Sequence, residues 1–143
     1  MAAAIAATAG LADGAPPATA HTRSAQKEPL TQTNRGCDAS LIPPVHPEAF
    51  GFAMIRKPAK DRLVTSVSLR GARPDTTYTI RVIQLVPDSS DCQHVDGMLT
   101  TDADGNAQAN VQEAVLPGAE GAWVALNGVD DFTHFYDTAP VPF

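Results

Sequence analysis

The chain has 143 residues, with 10 Lys+Arg against 16 Asp+Glu and a formal net charge of −6. That length suits a single domain. The acidic balance argues against nucleic-acid binding, and no stretch approaches the roughly 20 apolar residues that span a bilayer.

Residues 1–20 are alanine-rich, carry one charge at Asp13, and end in Ala18-Thr19-Ala20. This is the small-x-small pattern that signal peptidase cuts. The segment reads as a truncated signal peptide or a disordered Ala-rich tail, and the protein is expected to be secreted or held in the cell envelope. Residues 21–48 are polar and interrupted by Pro29, Pro43, Pro44 and Pro47, whose fixed φ favours extended chain. They read as a disordered or extended lead-in, and the folded domain is expected over 49–143.

The remainder alternates with period two. Leu63, Thr65, Val67 and Leu69 interleave with Val64, Ser66, Ser68 and Arg70, and Tyr78, Ile80 and Val82 interleave with Thr79 and Arg81. Ala107, Ala109 and Val111 alternate with Gln108, Asn110 and Gln112, and Ala122, Val124 and Leu126 with Trp123, Ala125 and Asn127. Shorter candidates cover 52–57, 97–101 and 133–137. One apolar face per segment, with turn signals between, predicts an all-β antiparallel sandwich of about seven strands. No window shows a helical period.

Between two of these strands stands Thr101-Asp102-Ala103-Asp104-Gly105-Asn106, which places Gly105 where a turn needs positive φ and reads as a hairpin. An acidic calcium loop is the competing reading, but Ala107 stands where such a loop requires glycine.

The stretch Leu69-Arg70-Gly71-Ala72-Arg73-Pro74-Asp75-Thr76-Thr77-Tyr78-Thr79-Ile80-Arg81-Val82 resembles the L-x-G-L-x-P-x-T-x-Y-x-V-x-V segment of fibronectin type III domains. The resemblance implies an Ig-like, fibronectin III-like sandwich. It also implies that Tyr78 is a tyrosine corner, with its hydroxyl bonded back to the corner backbone. The match covers about a tenth of the chain; several strands follow Tyr78, and Trp123 lies late, so membership of the family is not implied. The strand-T-D-x-D-G-N-strand pattern is also similar to small exported bacterial β-sandwich proteins of uncharacterised role, a similarity that brings no chemistry.

Cys37 and Cys92 are too far apart in sequence for a CxxC redox or zinc motif. In an exported chain an even count favours a Cys37–Cys92 disulfide tying the lead-in to the 87–96 connection. Two free thiols in a cytosolic protein are the alternative.

Among the histidines, His94 and His134 with a carboxylate are the candidates for a zinc site. Cleavage after Ala20 would make His21 the first residue. An N-terminal amine and ring then resemble the copper chelate of histidine-brace proteins, to be completed by His94 or His134. Ser89, Ser90, Asp91 and His94 are triad residue types crowded into one loop, without the separate rigid elements a triad needs. Nucleophile-elbow, P-loop, H-E-x-x-H and dinucleotide motifs are absent from the sequence.

No catalytic residue and no cofactor is therefore assigned. The expectation is a monomeric, exported, non-catalytic binding or cell-envelope interaction module for an unknown protein or glycan ligand at the cell surface. Asp91, His94, Phe132 and Tyr136 are the possible binding surface. A copper- or zinc-binding protein or enzyme is one alternative, and a secreted inhibitor of a foreign hydrolase presenting the pinned loop is another.

Overall fold

The structure is a computed structural model that describes residues 25–88 and 91–143. The described residues are all-β, with nine strands and no helix: β1 (Gln26–Pro29), β2 (Gly51–Ala59), β3 (Arg62–Leu69), β4 (Thr77–Leu85), β5 (Gly97–Thr100), β6 (Ala107–Ala114), β7 (Gly121–Gly128), β8 (Phe135–Asp137) and β9 (Val141–Pro142). They form two antiparallel sheets. Sheet A has the order β1-β2-β3-β6, and sheet B the order β5-β4-β7-β8, with β9 pairing the start of β7.

The alternation seen in the sequence sets the inward faces. On β3, Leu63, Thr65, Val67 and Leu69 are buried at 2% exposure or less. Opposite them, Tyr78, Ile80 and Val82 of β4 and Val124 and Leu126 of β7 close one hydrophobic core. Alanines at 107 and 109 thin β6 at the edge of sheet A, so that the sheets can approach there.

β7 is buried on both faces, and the second covering is unexpected. Ile83, Trp123 and Ala125 on the outer face of sheet B form a smaller cluster with Ala39, against which Cys92 also packs. The N-terminal segment thus lies over sheet B as a third layer. The Cys37–Cys92 disulfide is formed, with Cα atoms 5.8 Å apart across 55 residues of sequence.

One expectation is extended and one needs correction. The lead-in also contributes a strand to sheet A. Residues 26–29 pair in register with Ile55 to Phe52 as an edge strand, and Leu30 is fully buried. The 101–106 connection does not close a hairpin, because β5 lies in sheet B and β6 in sheet A. Its turn chemistry is as read: Gly105 has φ +79°, and a Cβ there would meet the Ala72 carbonyl oxygen. The Asp102 carboxylate accepts the backbone N–H groups of Asp104 and Asn106, both at 2.9 Å. That use of Asp102, together with the strand that begins at Ala107, displaces the calcium reading. The loop instead zips onto the other crossover, 70–76, through Thr101 Oγ1, which donates to the Arg73 carbonyl at 2.7 Å and accepts from Thr76 N–H at 2.9 Å.

Candidate functional site

β5 covers only residues 77–80 of β4. The chain before it runs back beside the uncovered half, where Asp96 N–H donates to the Ile80 carbonyl at 2.8 Å. Asp96 Oδ2 accepts Val82 N–H at 2.7 Å, so a side chain continues the ladder that β5 leaves open. His94 Nε2 lies 3.5 Å from Asp96 Oδ1. Across the gap between the sheets, Glu113 points inward from β6, following the parity of Ala107, Ala109 and Val111. Gln84 clasps the same gap, donating to the Ala114 carbonyl at 2.8 Å and accepting Leu116 N–H at 2.9 Å.

A cavity of about 270 Å³ lies here, lined by Val82, Gln84, Asp91, His94, Glu113 and Leu116 among others. Burial, and then the neighbouring Asp96 carboxylate, push the Glu113 carboxyl up to about 8. Two like charges so close resist ionising together, so Glu113 keeps its proton at neutral pH. Glu113 Oε1 has no hydrogen-bond partner among the described residues. Among the described residues the cleft aligns no nucleophile with a base; Ser89 and Ser90 lie outside them.

The four residues expected to share a binding surface do not. Asp91 and His94 are at the rim of this cleft. Phe132 projects from the β7–β8 turn at 66% exposure, with the Arg81 guanidinium 5.7 Å from its ring centroid. Tyr136 is 2% exposed and belongs to the core, because its parity on β8 turns it inward. Its hydroxyl meets His134 Nε2 at 3.2 Å, and burial lowers the His134 pKa. His94 and His134 flank sheet B on opposite sides, with β4 and β7 between them, so no shared metal site forms from them. Among the described residues no group of three or more His, Cys, Asp or Glu side chains converges for a metal. His21 lies outside the described residues.

Tyr78 is fully buried, with its ring centroid 5.6 Å from Tyr136 and 5.7 Å from His134. The tyrosine-corner bond is not made: the hydroxyl has no hydrogen-bond partner among the described residues. Burial and the Tyr136 phenol push its pKa above the ordinary value. Tyr78 is a packing residue.

The outward face of sheet A is different in kind, since no segment among the described residues covers it. Register aligns its side chains in rows across the strands: Phe52, Ser68 and Gln108; then Lys27, Met54, Ser66 and Asn110; then Arg56, Val64 and Gln112. Successive rows are roughly 7 Å apart, two residues of strand rise. A shallow depression of about 480 Å³ spans Phe52, Ser66, Ser68, Arg70, Gln108 and Asn110. The Lys27 ammonium sits 4.1 Å over the Phe52 ring centroid. By the same alternation Arg62 and Arg70 face outward at the two ends of β3, and both are exposed. Sequence reading noted the alternation in β3 and β6 but not this face, because its members are brought together only by strand pairing. The one available signal was the run of amides at Gln108, Asn110 and Gln112.

Comparison of the chain with protein-family models, curated proteins and solved structures gives no match.

Proposed function

We propose that this protein is a non-catalytic, exported binding module that engages its ligand with the outward face of sheet A. The observation that carries the reading is the contrast between the two sheets. Sheet B is capped by a disulfide-pinned arm, whereas sheet A presents rows of amide, hydroxyl and cationic side chains around a single aromatic ring. Binding surfaces on rigid scaffolds need such convergent polar groups, and a packed sheet fixes their backbone and so lowers the ordering cost. Export is supported by the Cys37–Cys92 bond, since structural disulfides persist in oxidising compartments. An Ig-like arrangement is supported by the strand orders, with β2, β3 and β6 in the places of strands A, B and E, and β4, β7 and β8 in those of C, F and G. That correspondence puts Tyr78 on C rather than F, which accounts for the missing corner bond.

The test is co-sedimentation of the processed chain with isolated cell-envelope polysaccharide, followed by analysis of the supernatant for cleavage products. The reading expects retention without cleavage, weakened by the paired change Gln108→Ala and Asn110→Ala. Released fragments, or retention indifferent to that pair, would overturn it.

A further inference from the structure

We infer that the ligand of the sheet A face is an anionic polysaccharide, an inference that rests on the binding-module reading above and narrows its ligand class. Four of the chain's ten cationic side chains stand on this face: Lys27, Arg56, Arg62 and Arg70. All four are exposed, and none makes an ion pair among the described residues. No carboxylate occupies the rows between them. Glu28 of β1 has the opposite parity, paired with the buried Ala53. Asp61 lies in the β2–β3 turn, and Asp102, whose pKa Arg70 helps to lower, lies in the 101–106 crossover. A chain of net charge −6 has therefore gathered an all-cationic face on one sheet. Exposed cations that make no ion pair raise the local concentration of anionic ligands and fix their register.

The groups between the cations narrow the class. Gln108, Asn110 and Gln112 each offer both a donor and an acceptor, and Ser66 adds a hydroxyl. Such groups match the vicinal hydroxyls of sugar rings. A membrane surface is disfavoured, since among the described residues none of the exposed large hydrophobic side chains lies on the face. Leu41, Ile42, Val45, Val95, Met98 and Phe132 are all elsewhere. Cations at the ends and side of the face, with neutral hydrogen-bonding rows in the middle, fit an extended acidic chain running along the strands.

The experiment measures binding of the full, disulfide-bonded chain to polygalacturonate, alginate and hyaluronate. Neutral dextran, phosphatidylglycerol vesicles and poly-glutamate serve as the comparison set. At least one carboxylated polysaccharide is expected to bind, with affinity falling as salt rises. The double change Arg56→Glu and Arg70→Glu should weaken it by about tenfold or more, since each reverses a charge that faces the ligand. Arg73→Glu, the same charge change away from the face, should leave binding intact, whereas Gln108→Ala with Asn110→Ala should weaken it. Equal loss with Arg73→Glu overturns the inference, and so does vesicle or poly-glutamate binding as strong as polysaccharide binding. Self-association through the face overturns it too. Dextran binding that needs Gln108 and Asn110 but ignores Arg56 and Arg70 overturns the anionic class and leaves the binding-module reading standing. If nothing in the set binds the face, both fail.

Discussion

Thr31 of the N-terminal arm and Asp137 of β8 exchange both of their backbone hydrogen bonds, Thr31 N–H to Asp137 at 2.8 Å and Asp137 N–H to Thr31 at 2.7 Å. The exchange fixes the arm against the edge of sheet B and brings Arg35 to the Asp137 carboxylate, 3.6 Å away. Asp137 is nonetheless short of solvation. Burial outweighs the guanidinium and pushes its pKa up to about 7.

This sets a pH dependence of stability. Asp137 at about 7 and Glu113 at about 8 both bind protons more tightly in the folded chain than in the unfolded chain, where such carboxyls titrate near 4. Their contribution to stability is complete below the unfolded values and is lost as pH rises through 7 and 8. The melting temperature should therefore be higher at about pH 5.5 than at about pH 8.5. Glu113→Gln, which cannot ionise, should remove the upper part of that slope. A melting temperature that rises between those two pH values would contradict the assignment of these two carboxyls.

The arm also covers the chain's single tryptophan, Trp123, which is 4% exposed. Replacing Cys37 and Cys92 by Ser should destabilise the fold by at most about 4 kcal/mol, the chain-entropy value for a loop of this length. Reduction of the wild type should shift tryptophan emission to the red as residues near Ala39 lift away. Unchanged emission in the reduced, folded chain would mean that the arm holds its place without the staple.

Tyr78 carries a buried hydroxyl that makes no hydrogen bond among the described residues. Removing an unsatisfied polar atom while keeping the ring is neutral or stabilising. Tyr78→Phe should change unfolding free energy by less than about 1 kcal/mol, with any change in the stabilising direction. A loss of about 2 kcal/mol or more in denaturant melts would show that the hydroxyl does make the corner bond its sequence context resembles.

The period-two pattern of β3, β4, β6 and β7 was legible in the sequence because each strand buries one face through regularly spaced apolar residues. β1 was not legible, because Gln26-Lys27-Glu28-Pro29 has no apolar alternation. It is held by the edge of β2 and by Leu30, both dictated from elsewhere in the chain. Around Gly105, local chemistry revealed a turn but not that its two strands belong to different sheets, since a turn carries no information about pairing partners. The cationic face was invisible for the same reason: residues 27, 56, 62 and 70 share a surface only through register. Asp91 and His94 line one cavity with Glu113, which the sequence did not signal because Glu113 comes from a strand whose other inward residues are small and apolar.

The most direct measurement is an NMR titration of the labelled chain with alginate oligosaccharides, following the side-chain amide signals. The Gln108, Asn110 and Gln112 amide groups should shift together while that of Gln84, buried in the cleft between the sheets, stays fixed. Shifts confined to Gln84 and the neighbourhood of His94, with the sheet A amides unmoved, would contradict that expectation and make the cleft the binding site.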